Sequence, residues 1–324
     1  MSRTGPSLLT GERSFAGVAG AVAISAGLIA LLWLAVPWDR ARELFRAPSP
    51  AALLAAATAI ALGHVATGFR IQTMLPPLPR VALRDGVLVS LWHGLAMIVL
   101  PARLGELALV EGLSRYASVR RGAGLAVLVV QRLYDALFVG LFFAVGAYGT
   151  MLGGGSIALV VAGIAAVLVL SSRLEAILAW IERRSGALRS ATGLRVQSLL
   201  RDLREGAAAC SARGTTVLAV GALFFWISEL AVMWLLFRAF DTSLAASTTL
   251  FLTAGLALVY AIPVPTIGGL GLAEGGLAAL LVAAGWPADA AIGLGLSARV
   301  TLLLLHGLVV VGLLPLLTLG RRTV

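Results

Sequence analysis

The chain has 324 residues, 60% of them apolar and only 12% charged, with a mean hydropathy of +0.99. So few charged side chains cannot coat a water-soluble protein of this length, so most of the surface must face lipid, and a soluble globular enzyme is excluded. All 25 basic residues are arginines and the net charge is +10, an excess that in so apolar a chain belongs to loops facing an anionic leaflet rather than to a nucleic-acid footprint, while a single cysteine, Cys210, excludes an intramolecular disulfide framework and a cysteine metal site.

The first apolar run, Phe15–Val36, is long enough at ~1.5 Å per residue to cross a bilayer of about 30 Å. It is too long for a signal-peptide core and is followed by Pro37-Trp38-Asp39-Arg40, so it is expected to remain as an uncleaved span. Pro50–Phe69 is a second span. Val87–Leu100 has only 14 residues, covers roughly 21 Å, and runs into Pro101. Arg103–Ala117 follows it, and the pair predicts a re-entrant hairpin of two partial helices. Gly124–Tyr148 and Ser156–Ser171 are further spans. Ser172–Gly214 is polar, and its segment Leu174–Ile181 reads either as an interfacial amphipathic helix or as part of a solvated cytoplasmic linker. Thr215–Phe240 is another span. Thr248–Ile262 is again short, breaks at Pro263-Val264-Pro265, and forms a second hairpin with Gly271–Gly285; Ala288–Leu317 closes the series. The expected fold is an all-α polytopic bundle of about six full spans plus two re-entrant broken-helix hairpins, in one integral membrane domain over residues 1–324. Broken backbone at membrane depth is tolerated only where protein buries it or it lines a wet cavity.

Arginine placement orients the chain. Ser172–Gly214 carries eight arginines against four carboxylates and is expected in the cytoplasm. Gly149–Gly155 has none and falls outside. Counting outward places Arg70, Arg80 and Arg84, then Arg115, Arg120 and Arg121, and both termini on the cytoplasmic side, as for a multi-pass protein of a bacterial inner membrane. Arg40, Arg42 and Arg46 in Asp39–Ala47 fall outside, against the rule.

The hairpins share a spacing. Pro101, Glu106 and Arg132 in the first unit match Pro265, Glu274 and Arg299 in the second, with 26 and 25 residues between glutamate and arginine. The pattern suggests a degenerate inverted repeat, the arrangement that places a transporter site among broken helices near the bilayer midplane.

Ionisable residues at membrane depth cost several kcal/mol unless paired or hydrated. Those expected there are Arg103, Glu106, Glu111, Arg132, Asp135, Glu229, Glu274 and Arg299. Arg132 and Asp135 stand at i and i+3 and can pair, either to neutralise each other or to serve a site. Gly268 and Gly269 precede a helix start, where free N–H groups suit a phosphate; the alternative is a glycine packing device. Glu229 has no basic neighbour within a turn and reads as a hydrogen-bonded acid, a partner of Arg299 or Arg132, or a proton-coupling group. His64, His93 and His306 are scattered, and each is expected to make a helix contact rather than a metal site. Trp33, Trp38, Trp180, Trp226 and Trp286 read mostly as interfacial belt residues. No metalloprotease, Walker, nucleophile-elbow or Asp-rich phosphotransferase motif is present, so no cofactor or metal is expected and transport by this chain would not use ATP.

Leu100-Pro101-Ala102-Arg103-Leu104-Gly105-Glu106, then Gln131-Arg132-Leu133-Tyr134-Asp135, then Gly268-Gly269-Leu270-Gly271-Leu272-Ala273-Glu274 and Arg299 resemble the flippase-like transmembrane domain of lysylphosphatidylglycerol synthases and its stand-alone relatives, over about residues 15–317. The resemblance implies that Arg103, Glu106, Arg132, Asp135, Glu274 and Arg299 occupy the family's characteristic polar positions; Gln131 stands where relatives often carry an acid. It also implies lipid translocation without aminoacyl transfer, because a chain closing at Val324 has no room for the soluble transferase domain. The expected function is translocation of an anionic or phosphate-bearing lipid between leaflets, with a phospholipid or lipid-linked substrate bound by the polar residues and glycines named above. Two alternatives stand beside it: a membrane-embedded enzyme acting on a lipid headgroup or polyprenyl phosphate, and a scaffold that binds a lipid-biosynthesis enzyme.

Overall fold

The computed structural model describes residues 22–28, 30, 31, 34, 48–74, 81–100, 104–153, 157–185, 212–262 and 264–319, with some side chains of 157–185 and 212–215 set aside. Ten α-helices and no β-sheet occur among these residues. They are α1 (Pro50–Met74), α2 (Leu83–Val99), α3 (Leu104–Ala117), α4 (Arg121–Leu152), α5 (Ile157–Ser172), α6 (Leu174–Ser185), α7 (Ala212–Ala239), α8 (Ala246–Ala261), α9 (Leu272–Ala283) and α10 (Ala288–Leu319).

Local chemistry explains the boundaries. Pro50 occupies the first position of α1, where its missing N–H costs nothing, and Ser49 Oγ accepts the Ala52 N–H at 3.4 Å. Leu100 and Ile262 both leave their helices in extended backbone, the conformation favoured for a residue before a proline. α4 ends at Gly153, in the left-handed conformation that stops a helix.

Four described helices, α1, α4, α7 and α10, are long and apolar enough to cross a membrane; the chain is an all-α polytopic membrane bundle. The expected span at Ser156–Ser171 appears as α5, whose 16 residues rise only about 24 Å, so it falls short of a full crossing by length. Phe15–Val36 lies mostly outside the described residues, although 22–28 are helical. Leu304, Leu308 and Val311 form an exposed apolar stripe on α10, as expected of a lipid-facing helix. α6 supplies the helix expected at Leu174–Ile181; Trp180 is exposed on it beneath the Arg184 guanidinium, 5.3 Å from the ring centre.

Both hairpins form, and both are antiparallel. Gly105 lies against Met97 and Gly112 against Trp92, so α3 returns along α2; Gly276 lies against Val259 and Gly255 against Leu280, so α9 returns along α8. The two units, α1–α4 and α7–α10, also exchange partners. Helix α8 packs on α4, and α2 packs on α10 through Val87, Leu91 and Val310, with Arg84 Nη2 donating to Leu317 O. Helices α1 and α7 form the most extensive pair, and they run antiparallel, with Gly63 against Ser228 and Arg70 against Gly221. Antiparallel lead helices with crossed second helices are what an inverted repeat about an axis in the membrane plane requires. Apolar packing joins the units: Tyr134, Phe138 and Phe142 of α4 pack with Trp226 of α7, while Phe143 meets Phe251 of α8 at 5.3 Å between ring centres.

Candidate functional site

Between the units lies a cavity of about 600 Å³. Ile98 and Leu100 of the first hairpin, Gly268 and Gly269 of the second, and residues of α1, α4, α7, α8 and α10 line it. The hairpin ends touch: a Cβ on Gly268 would stand 2.5 Å from the Ile98 carbonyl oxygen. Gly268 also has φ +57°, so both space and backbone demand glycine there.

The first polar centre is built on α4. The Arg132 guanidinium donates through Nε (2.9 Å) and Nη2 (2.5 Å) to Glu106 Oε2, and through Nη1 to Asp135 Oδ2 at 3.0 Å. Glu106 stands in the first turn of α3, so the hairpin itself delivers one carboxylate to the arginine. Asp135 is shared, with Arg70 Nη2 2.9 Å from its Oδ1. Arg70, with 2% of its side chain exposed, also donates to the Gln131 carbonyl at 3.1 Å and lies 5.5 Å from the centre of the Phe225 ring. The charges therefore run Arg70, Asp135, Arg132, Glu106 in alternating sign. Three of Arg132's five N–H groups are committed, its side chain is 45% exposed, and it faces the cavity.

The second centre occupies the equivalent place in the other unit but is closed. Arg299 Nη2 donates to Gly268 O at 2.8 Å, its Nε is 3.7 Å from Glu274 Oε1, and its guanidinium lies 5.5 Å from the centre of the Tyr260 ring. Both side chains are buried. Glu274 Oε2 accepts the Gly271 N–H at 2.6 Å, so the protein's own carboxylate occupies the start of α9. At Gly271 the donor is taken by Glu274, which also complements the helix dipole. Gly268 and Gly269, the positions expected to offer N–H groups to a phosphate, make close contacts with Ile98 and with the Tyr260 ring.

The glutamate and arginine that share a spacing in the two units meet in each. A family model described as the lysylphosphatidylglycerol synthase TM region matches residues 18–310, which takes in both centres and both hairpins. The chain belongs to that family. Membership makes it a membrane protein with a lipid-related role. No curated protein and no solved structure matches the chain.

In this member of the lysylphosphatidylglycerol synthase transmembrane family, several expected positions shift. Arg103 lies outside the described residues. Arg70, taken from sequence as a cytoplasmic loop marker, is a buried member of the first centre; the apolar Ile71 and Met74 beyond it continue α1 and were the overlooked signal. Glu111, expected at membrane depth, forms an exposed pair with Arg121 at 3.0 Å. Glu229 lines the cavity but forms no ion pair with Arg132 or Arg299. Trp226 is a core residue, not an interfacial one, because α7 turns it onto Phe142 and Phe225. Gln131, where relatives often have an acid, contributes its carbonyl to Arg70.

Each histidine makes a hydrogen bond, as expected: His64 Nδ1 with Ser90 Oγ (2.9 Å), His93 Nδ1 with Gly105 O (2.9 Å) and His306 Nδ1 with Leu302 O (3.3 Å). Two of them are not scattered in space. His64 and His306 meet edge to face with ring centres 6.2 Å apart, both lining the cavity. Among the described residues no trio of histidine, cysteine or acid is placed to hold a metal ion.

Proposed function

We propose that the protein translocates a phosphate-bearing lipid between the leaflets of a bacterial inner membrane, with its headgroup passing through the cavity between the hairpins and its bonds unchanged. The supporting observation is Arg132, a half-exposed guanidinium that belongs to a charge-balanced cluster, lines that cavity and has two N–H groups uncommitted. A guanidinium fork matches two phosphate oxygens. Glu106 is bound to the same guanidinium and is the carboxylate a phosphate would displace. Arg299, held by Gly268 and Glu274, is the equivalent binding group when the second hairpin opens, and Asp135 keeps Arg132 charged and oriented throughout. Glu229, the unpaired acid of the cavity, is the coupling candidate.

The test is leaflet-resolved flipping of fluorescent phosphatidylglycerol in proteoliposomes. Loss of one charge-assisted pair worth about 1.5–3 kcal/mol lowers headgroup affinity by roughly 10- to 100-fold, so Arg132→Gln is expected to reduce flipping by that order at low lipid concentration. Unchanged flipping in an Arg132→Gln, Arg299→Gln double variant would sink the assignment. A changed lipid product in mass spectra would replace translocation with headgroup chemistry.

A further inference from the structure

We infer that His64, His306 and Glu229 form a proton-binding site that loads one proton when a phosphate occupies Arg132. The inference rests on the phosphate reading above and adds a ligand to a cluster that reading leaves idle. Its first support is charge. Among the described residues in and behind the cavity, Arg70, Arg132 and Arg299 face Glu106, Asp135, Glu274 and Glu229, so the carboxylates exceed the arginines by one. An entering phosphodiester adds a second unbalanced negative charge to a space walled by protein and lipid, where charge is poorly screened and costly. A proton taken from water removes one of them.

The second support is geometry. The two imidazoles converge from α1 and α10, and the Nδ1 atom of each is already occupied, by Ser90 Oγ and by Leu302 O. Their Nε2 edges remain. His64 is 8% exposed, and its Nε2 is buried without a hydrogen-bond partner. Glu229 comes from the facing helix α7: a Cβ on Gly63, next to His64, would stand 3.9 Å from Glu229 Oε1. The carboxylate thus stands against α1 one residue from His64 and lines the same cavity as both imidazoles. The other titratable or charged groups around the cavity are His93 on α2, Glu106 on α3, Asp135 and Arg132 on α4, Tyr260 on α8, Glu274 on α9 and Arg299 on α10; the carboxylates and arginines among them are ion-paired, whereas His64 Nε2 is buried without a partner and Glu229 forms no ion pair with Arg132 or Arg299, which directs an added proton to these groups.

Proton linkage is measurable without assigning the group that carries it. Full-length protein in detergent is titrated with dihexanoyl phosphatidylglycerol at pH 7 by calorimetry in PIPES and in Tris, buffers of different ionisation enthalpy. The expected binding enthalpy differs between them by the amount for uptake of about one proton per probe. Glu229→Gln and the double variant His64→Gln, His306→Gln are expected to bind the probe with uptake reduced by half or more. Equal enthalpies in the two buffers for the wild-type protein overturn the inference while leaving phosphate binding intact, and this measurement needs no variant. Undiminished uptake in both variants overturns it as well. Absence of wild-type binding, or binding indifferent to Arg132→Gln, refutes the phosphate reading itself and this inference with it.

Discussion

Asp135 joins two arginines, and its removal separates a buried charge cluster from a surface pair in energetic terms. In the wild-type protein its Oδ1 is 2.9 Å from the nearly inaccessible Arg70, and its Oδ2 accepts from Arg132 at 3.0 Å. Asp135→Asn keeps the size and hydrogen-bonding reach but deletes the charge that neutralises Arg70. A buried cation stripped of its counter-charge costs about 3–5 kcal/mol. Glu111→Gln breaks the other pair in the same region, Arg121–Glu111, whose side chains are 73% and 54% exposed. That pair is exposed, and its loss is expected to be worth less than about 1 kcal/mol. Thermal unfolding in detergent, followed by tryptophan fluorescence, separates the two: Asp135→Asn is expected to lower the midpoint on the order of 10 °C, whereas Glu111→Gln shifts it by no more than a few degrees. Arg70→Met combined with Asp135→Asn removes both charges and is expected to recover part of the loss, since a buried pair contributes little net stability although either half alone is costly. Equal midpoints for Asp135→Asn and Glu111→Gln, or a double variant less stable than Asp135→Asn, would refute the alternating-charge account.

Further outcomes follow from the same coordinates. Glu274→Gln leaves the buried Arg299 with the Gly268 carbonyl and the Tyr260 ring but no paired carboxylate, whereas Glu106→Gln leaves Arg132 with Asp135, so Glu274→Gln is expected to lower the unfolding midpoint more, and the reverse order would argue against the closed second centre. Gly268→Ala combines left-handed backbone strain, about 1–2 kcal/mol, with a Cβ forced against the Ile98 carbonyl; Gly285→Ala, also at positive φ but in open space, carries the strain alone, and a smaller midpoint loss at 268 than at 285 would deny the contact between hairpin ends. Gly146→Ala forces a Cβ against the Phe251 backbone nitrogen, where α4 and α8 cross, and is expected to destabilise by about 1–3 kcal/mol. Gly140→Ala meets no neighbour within 4 Å and is expected to be neutral or stabilising by its helix propensity; equal effects at the two positions would count against that crossing.

Composition alone established the solvent: a chain with this little charge must be a membrane bundle, and apolar run length located the long helices α1, α4, α7 and α10. Pro101 and Pro263 marked where two helices stop, because a proline disfavours helical backbone at the residue before it, although α10 continues through Pro315. The hairpins were also legible, through short apolar runs that break at proline, and one spacing repeated in two units suggested an inverted repeat; the pairing of Glu106 with Arg132 and of Glu274 with Arg299 came from the structure. What sequence did not determine was which groups from separate helices share a space. Arg70 and Asp135 are 65 positions apart, and His64 and His306 are 242 apart; only the antiparallel packing of α1 on α7 and the exchange of helices between units bring such residues to one cavity. The two arginine centres likewise read alike in sequence, and both line the cavity, yet Arg132 is half-exposed whereas Arg299 is buried against its own hairpin. A spacing constrains which residues lie on one helix face, whereas the exposure of a charge depends on the neighbours that surround it in space, and those neighbours are fixed by tertiary packing.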